Sequence, residues 1–177
     1  MYGSLMGPSR GHVVLVTGVM AAGKTTVAQL LAERFEPSVH LRGDRFRRMI
    51  VRGNAAPNTE AFEAELHLRY TLGARSADGY ADAGYTVVWQ DCVIGAALGD
   101  IETLVRTRPL DIIVLAPRTE VVAWRDAHRH KRGYDGEWTV DQLDRILHDE
   151  TPRVGHWIDN SDQTPEQTVA EILTLIT

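Results

Sequence analysis

The amino-acid sequence predicts an α/β fold built around a parallel β-sheet. Short apolar runs alternate with segments of helical periodicity along the chain, the pattern of parallel strands joined by helices. The clearest runs are continuously apolar, as in strands that are buried on both faces. The first of them leads directly into a glycine-rich loop and an amphipathic helix. Because the chain has 177 residues, 44% of them hydrophobic, we expect a single globular domain over residues 1–177.

The first half of the chain contains two predicted strands and three predicted helices. Residues 12–17 (HVVLVT) form a continuous apolar run and are predicted as a strand. A helix is predicted over 24–35, where apolar residues recur at helical spacing. A short strand at 38–41 and a basic helix over about 45–52 follow. After a turn-rich loop, a long helix is predicted over 60–83, because Phe62, Leu66 and Tyr70 would lie on one face of it. The glycine that follows marks its end.

The middle of the chain repeats this alternation. Residues 85–91 (YTVVWQD) and 110–116 (LDIIVLA) are predicted strands, because both runs are apolar and rich in β-branched residues. The segment 97–107 between them is predicted to be helical. Another helix is predicted to begin near Thr119 and to give way to a basic loop.

Capping sequences indicate where the last helices begin. Thr139 and Gln142 fit the T-x-x-Q capping box, which predicts a helix from there to about residue 149. A modest strand is predicted at 155–158. The last helix, over 165–176, follows a second box of the same type and has proline at its first position.

Charge is distributed unevenly along the chain. The net charge is −5, yet residues 41–52 carry five arginines against one aspartate, and residues 118–132 carry five basic residues against two acidic ones. An acidic body with two short basic segments argues against nucleic-acid binding and favours small anionic ligands. No apolar run is as long as a membrane span, and the single cysteine, Cys92, fits a reducing compartment. We therefore expect a cytoplasmic protein with no membrane partner.

The strongest functional signal is the sequence GVMAAGKT at 18–25, which matches the phosphate-loop pattern G-x-x-x-x-G-K-[ST]. Glycines allow the backbone to wrap so that its amides point at phosphate oxygens, and the following helix N-terminus adds positive potential. The lysine is expected to contact the β- and γ-phosphates, and Thr25 to bind Mg²⁺. The motif predicts that ATP and Mg²⁺ bind here. The predicted cofactor-binding residues are Gly18, Ala21, Ala22, Gly23, Lys24, Thr25 and Thr26.

Two aspartates follow predicted strands and are candidates for phosphoryl-transfer chemistry. Asp91 ends the strand 85–91, the position of a carboxylate that helps to hold Mg²⁺; the alternative is an ordinary turn-capping aspartate. Asp44 follows the strand 38–41 and could accept a proton from a substrate hydroxyl or cap the next helix. The neighbouring Arg45 and Arg48 are predicted to bind anionic groups of the substrate.

Arg125, Arg129 and Arg132 are spaced so that a continuing helix would carry them on one face. Arginines at such a site neutralise the charge that develops during phosphoryl transfer. Glycines at 133 and 136 favour a lid, over about 125–150, that opens and closes on the site. The alternative is a solvated basic helix face.

Together these residues resemble the small-molecule kinase branch of the P-loop proteins. The nearest pattern is the chloramphenicol phosphotransferase-like family, with gluconate and shikimate kinases as more distant relatives. The resemblance covers most of the chain: GVMAAGKTT, Asp44, the strand VVWQD and the arginines of the lid. It implies a three-layer α/β/α P-loop NTPase fold with a five-stranded parallel sheet and a small helical lid.

The resemblance also implies roles for individual residues. The aspartate that matches Asp44 is the base for the substrate hydroxyl in that family, and the arginines that match Arg125, Arg129 and Arg132 contact the phosphates or the base of ATP. The arginine-rich segment after the second strand departs from that family. It indicates an anionic or sugar-phosphate-like acceptor, or another antibiotic such as a nucleoside or aminosugar.

We therefore expect an ATP-dependent phosphotransferase that moves the γ-phosphoryl group to a hydroxyl of a small molecule, with an antibiotic as one candidate acceptor. The alternative is an ATP-binding resistance protein of the tunicamycin-resistance type, which sequesters its ligand without phosphorylating it. A polynucleotide-end kinase is disfavoured by the acidic body of the chain and by the lack of an aromatic stacking platform. The sequence leaves the oligomeric state open.

Overall fold

The computed structural model describes residues 11–128, 134 and 138–176. Its centre is a sheet of five strands in the order β2-β3-β1-β4-β5, and all four neighbouring pairs are parallel. The strands are β1 (His12–Gly18), β2 (Ser38–Arg42), β3 (Thr86–Gln90), β4 (Leu110–Leu115) and β5 (His156–Ile158). The predicted parallel five-stranded α/β fold is confirmed.

The helices are α1 (Lys24–Ala32), α2 (Asp44–Arg48), α3 (Glu60–Asp82), α4 (Ala97–Leu104), α5 (Thr119–Ala127), α6 (Val140–Arg145) and α7 (Pro165–Leu175). Helices α1 and α3 pack against the sheet, α7 contacts α1, and α4 contacts α3. The residues 13–16 of β1 are fully buried between the layers, which explains the continuous apolar run. Among the residues that the structure describes, no helix has the length and apolarity needed to cross a membrane.

Three predicted helix ends differ from the structure. Helix α1 ends at Ala32 because the Ser38 hydroxyl donates a hydrogen bond to the Ala32 carbonyl (2.6 Å) and because Pro37 disfavours helix before it. Helix α4 stops at Leu104, and the Asp78 carboxylate then accepts hydrogen bonds from the next backbone amides, at 106 and 107. Helix α2 is shorter than predicted and already includes Asp44.

The predicted helix up to residue 149 changes its hydrogen-bonding pattern partway. Both capping boxes form as predicted, one at α6 and one at α7. After Arg145, however, the chain continues as a π-helical turn, Ile146–Glu150. The Thr151 hydroxyl donates to the Ile146 carbonyl (2.8 Å) and accepts from the Gly95 amide (2.7 Å). A side chain that takes over a helical carbonyl disrupts the regular α-helical ladder, which explains the change.

The carboxyl ends of β1, β2 and β3 form one continuous edge. Val16, Gln90 and Arg42 lie in one row across the three strands. Beyond this row, the Asp91 amide donates to the Val16 carbonyl (3.2 Å) and the Gly43 amide to the Gln90 carbonyl (2.9 Å). The sheet therefore presents the segments that follow β1, β2 and β3 side by side.

Candidate active site

The phosphate loop has a backbone that few sequences could adopt. Gly18 has φ 133°, and a Cβ atom there would lie only 2.3 Å from the Leu115 carbonyl oxygen. Gly23 has φ 98° and immediately precedes α1. Ala21 also has a positive φ, 62°, which costs energy for a residue with a side chain. Gly18 is thus required by its conformation and by close contact, and Gly23 by its conformation.

Lys24 is buried beneath this loop. Its Nζ atom donates hydrogen bonds to the carbonyls of Gly18 (2.8 Å) and Val19 (2.6 Å). Thr25 and Thr26 are exposed in the first turn of α1, and no side chain caps that end of the helix. An uncapped helix N-terminus beside a lysine is suited to bind phosphate.

A cavity of about 260 Å³ adjoins the loop. The Arg125 guanidinium, on α5, donates to the carbonyls of Ala22 (3.4 Å) and Asn160 (2.9 Å), and the Asn160 amide donates to the same Ala22 carbonyl (3.0 Å). Burial lowers the pKa of Arg125 below its ordinary value. The cavity is lined by Gly23, Thr26, Val27, Arg125, Asn160, Gln163 and Pro165. Arg125 therefore lies behind the phosphate loop, joined to it through Ala22.

Two further residues, which the sequence did not identify as candidates, lie beside the phosphate loop. Asn160 is buried, and its Oδ1 atom has no hydrogen-bond partner. The Tyr134 hydroxyl donates to the Met20 carbonyl of the loop (3.0 Å). Asn160 lies just after the carboxyl end of β5, and Asp91 was identified as a candidate because it lies at the same place relative to β3. No sequence signal pointed to Tyr134.

Asp91 is buried at the end of β3, and both of its carboxylate oxygens are engaged. Arg69, on α3, forms a bidentate ion pair with it. The Cys92 backbone amide donates to its Oδ1 atom (2.7 Å). A Cβ atom on Gly43 would lie 1.9 Å from Oδ2, so the start of α2 packs directly against this carboxylate. Sequence reasoning missed Arg69, because its approach depends on how α3 crosses the sheet.

These contacts decide how well the predicted Mg²⁺ ligands fit. The Thr25 hydroxyl is an exposed oxygen beside the phosphate-binding loop, so it suits Mg²⁺ bound together with nucleotide. Asp91 does not fit as a direct ligand in the arrangement described, because Arg69 covers its carboxylate. It could act through a water molecule or after Arg69 moves.

Asp44 is the first residue of α2 and does not cap the helix. The N-cap is Gly43, and no side chain caps this helix end, so the capping alternative is wrong. The Asp44 carboxylate instead pairs with Arg48 (2.8 Å), one turn later, which draws it away from the helix end. Its Oδ1 atom faces the Arg42 Nε atom at 3.8 Å, and neither atom has a hydrogen-bond partner.

The remaining predicted arginines have different surroundings. Arg45 is exposed, whereas Arg48 is tied to Asp44. Arg129 and Arg132 lie outside the described residues, so their predicted roles stay predictions. In the described part of the 125–150 segment, α6 packs against α5.

The edge of the sheet has two sides, which we name the nucleotide side and the acceptor side after the roles that the sequence predicts for them. The nucleotide side is the loop 18–25 with the adjoining cavity. The acceptor side is the start of α2, with Arg42 and Asp44 at the end of β2. Neighbouring strands lie about 4.8 Å apart, so the end of β2 lies roughly 10 Å from the end of β1. That spacing leaves room for a phosphoryl group and an acceptor between the two sides.

Comparisons with known proteins agree with this architecture. Residues 13–149 match the family model described as an AAA domain. The chain is similar in structure to a sugar kinase from Janibacter sp. HTCC2649, with 23% identity, 94% of both chains covered and a TM-score of 0.72. It is also similar to the APS kinase of Mycobacterium tuberculosis in complex with AMPPNP and APS, with 19% identity, 95% of this chain and 98% of that chain covered and a TM-score of 0.67.

A third similar structure is the tunicamycin resistance protein of Deinococcus radiodurans, with 16% identity, 93% of this chain and 95% of that chain covered and a TM-score of 0.64. No curated protein matches the chain by sequence. At these identities the likenesses show a common fold. The specific resemblance to the chloramphenicol phosphotransferase-like family stays a prediction.

Proposed function

The chain belongs to the AAA domain family, and we propose that it transfers the γ-phosphoryl group of ATP to a hydroxyl group of a small molecule. The observation that carries this proposal is the edge shared by the phosphate loop and Asp44, with β3 between them. A loop built for nucleotide phosphates on one side and a carboxylate with an unpartnered oxygen on the other are the parts that a phosphotransferase needs.

The proposed reaction is an in-line displacement. The acceptor hydroxyl donates its proton to the Asp44 carboxylate while its oxygen forms a bond to the γ-phosphorus. The bond from the γ-phosphorus to the β–γ bridging oxygen breaks, and ADP leaves with that electron pair. Lys24 exchanges its loop carbonyls for phosphate oxygens and offsets the charge that develops on them.

Bound Mg²⁺ would neutralise charge on the β- and γ-phosphates. Thr25 is the residue best suited to hold it. Asp91 would assist through water or after release from Arg69, because Arg69 covers its carboxylate in the arrangement described.

The cavity behind the loop is suited to the base of the nucleotide. Arg125 supplies a planar cation on one wall and Pro165 an apolar surface. In this arrangement Arg125 serves the nucleoside end of ATP, as one of the two roles implied by the family resemblance. Arg129 and Arg132 remain the proposed partners of the phosphates. The single cysteine and the use of ATP are consistent with a cytoplasmic setting.

Antibiotics are one candidate class of acceptor, on the resemblance to chloramphenicol phosphotransferase-like enzymes. A second candidate function is ATP-dependent binding of a ligand without phosphoryl transfer. The observation that favours it is the Arg69–Asp91 ion pair, which occupies the carboxylate expected to help to hold Mg²⁺.

The experiment is a mass-spectrometric search for phosphorylated product. The protein is mixed with Mg-ATP and a panel of chloramphenicol, nucleoside and aminosugar antibiotics, sugars, sugar acids, shikimate and nucleosides. Lys24→Ala serves as the blank. Product that needs Lys24 supports the phosphotransferase and identifies the acceptor class. Tight binding of AMPPNP with no product from any acceptor would favour the sequestering protein.

A further inference from the structure

We propose that the acceptor carries an oxyanion group, a carboxylate, sulfate or phosphate, and that Arg42 and Arg45 bind it beside Asp44. This inference rests on the proposed phosphotransferase for the identity of the acceptor side. It goes further by fixing the chemical class of the molecule that is bound there. Three observations carry it: a surplus of positive charge, an arginine already used for structure, and two buried polar atoms that face each other without hydrogen-bond partners.

The acceptor side has more arginines than the protein neutralises. Five of them lie in the segment 41–52. Only two carboxylates of the described residues pair with these arginines, Asp44 and Glu65. Arg45 has no hydrogen bond or ion pair with the described residues and is exposed. In an acidic protein of net charge −5, such a surplus creates a local positive field that attracts an anion.

Arg47 differs from Arg42 and Arg45, because its side chain makes structural contacts with α3. Its Nε atom pairs with Glu65 on α3 at 2.5 Å, and its guanidinium lies 5.3 Å from the centre of the Phe62 ring. Glu65 also accepts a hydrogen bond from the Ala55 amide (2.8 Å), and this bond, together with Arg47, holds the pKa of Glu65 below its ordinary value. Arg47 therefore joins α2 and the 49–59 loop to α3. It is a matched control for the arginines that lack such partners.

The unpartnered atoms indicate where the ligand binds. Arg42 Nε is a buried donor, Asp44 Oδ1 is a buried acceptor, and they lie 3.8 Å apart, too far for a hydrogen bond. Buried polar groups in folded proteins are rarely left unpaired. Both atoms are closed to solvent in the arrangement described, so the two side chains must turn toward the ligand. An acceptor that offers a hydroxyl to Asp44 and a negatively charged oxygen to Arg42 then satisfies both atoms at once.

The chemistry favours an oxyanion over a neutral polar group. Guanidinium presents several N–H donors in one plane, which match the oxygens of a carboxylate, sulfate or phosphate. Charge-assisted hydrogen bonds of this kind are about twice as strong as neutral ones. Binding an anion at Arg42 and Arg45 would also leave Asp44 available for the hydroxyl proton.

The first test measures anion binding without any acceptor. The protein is saturated with AMPPNP, so that the phosphate loop is filled, and is titrated with sulfate against chloride of equal ionic strength. We expect sulfate to raise the melting temperature of the wild type beyond the effect of chloride. In Arg45→Gln and Arg42→Gln the apparent sulfate affinity should fall by about 10-fold. Arg47→Gln should melt at a lower temperature and keep the sulfate affinity.

The second test compares acceptors matched in size. D-gluconate and D-glucitol differ by a carboxylate against a hydroxymethyl group, and adenosine 5′-monophosphate and adenosine differ by a phosphate. We expect the wild type to prefer the anionic member of any pair it phosphorylates by about 10- to 100-fold in kcat/KM, and Arg45→Gln to lose most of that preference.

The two tests separate the inference from the proposed function. Sulfate binding without any product would overturn phosphoryl transfer and keep the anion site. Product with equal rates for neutral and anionic acceptors, or sulfate binding that Arg45→Gln leaves unchanged, would overturn the anion site. Equal loss of sulfate affinity in Arg47→Gln would also overturn it, because the effect would then come from general surface charge.

Discussion

The nucleotide side and the acceptor side lie on the same edge of the sheet, yet the protein satisfies their polar groups to different degrees. On the nucleotide side, Lys24, Asn160 and Tyr134 all donate hydrogen bonds to carbonyls of the phosphate loop. On the acceptor side, Arg42 and Asp44 face each other with unpartnered atoms. On the nucleotide side, side chains hold the loop carbonyls, although Asn160 Oδ1 has no hydrogen-bond partner. On the acceptor side, a donor and an acceptor that face each other both lack hydrogen-bond partners.

Under the proposed function, this difference follows from what each side would bind. The phosphates of ATP are constant, so a fixed backbone with two constrained glycines can be built for them in advance. The proposed acceptor would be bound through the chemistry of particular side chains, here the arginines around α2. The most informative changes are therefore those that affect one side and leave the other intact.

The largest expected effect is from Asp44→Asn, which removes the proposed proton acceptor without changing its size. We expect kcat for the phosphorylated acceptor to fall by about 10²- to 10⁴-fold, the usual contribution of a general base. AMPPNP affinity should stay within twofold or so of the wild type, because Asp44 lies on the other side of the edge. Asp100→Asn, at an exposed position of α4, is the control. Unchanged kcat in Asp44→Asn would remove Asp44 from the chemistry.

A second prediction compares two glycines of the same helix. A Cβ atom at Gly73 would lie 2.5 Å from Cζ2 of Trp89, which is fully buried beneath the acceptor side, whereas nothing lies within 4 Å of one at Gly79. We expect Gly73→Ala to lower the free energy of unfolding by about 1–3 kcal/mol through overpacking. Gly79→Ala should raise it by about 0.5–1 kcal/mol, because alanine favours helix. Urea denaturation of both variants is the measurement. Stabilisation by Gly73→Ala would show that the Trp89 side chain shifts to accommodate the added methyl group, and would contradict tight packing at this position.

The nucleotide side is tested by Asn160→Ala. The change removes the hydrogen bond to the Ala22 carbonyl and leaves that carbonyl with the longer contact from Arg125. We expect AMPPNP affinity, measured by calorimetry, to fall by about 10-fold. Sulfate affinity on the acceptor side should not change. Asn54→Ala, in the exposed 53–59 loop, is the matched control and should bind AMPPNP like the wild type. If both variants bound AMPPNP equally well, Asn160 would have no part in shaping the loop.

The same contrast explains how far sequence reasoning reached. The parallel sheet, the phosphate loop and both capping boxes could be predicted, because each depends on residues that are close in sequence. The Arg69–Asp91 pair and the Arg47–Glu65 pair could not, since they join residues of different elements. The capping role considered for Asp44 failed for a different reason: contacts with Arg42 and Arg48, which are close to it in sequence, outweighed the preference of aspartate for a helix end.

The smallest expected effect concerns His40, on β2 beside the acceptor side. Its ring contacts the side chains of Gln29 (2.9 Å) and Gln90 (3.2 Å). Burial lowers the pKa of His40 below its ordinary value of 6.5; Arg42 adds to this shift, whereas the hydrogen bond to Gln90 and the charge of Asp44 oppose it. The unfolded chain therefore binds a proton more readily than the folded chain as the pH falls from 6.5 toward the pKa of the folded state.

The contribution of His40 to stability is fully present above pH 6.5 and is lost as the pH falls through that interval. We expect the difference in unfolding free energy between wild type and His40→Gln to decrease as the pH is lowered, when both are measured by denaturant unfolding across the same pH series. Because the chain has 7 histidines, only this difference isolates His40. A difference that increased toward acid would show that the hydrogen bond to Gln90 and the charge of Asp44 outweigh burial, and a difference that stayed constant with pH would show that these opposing effects cancel.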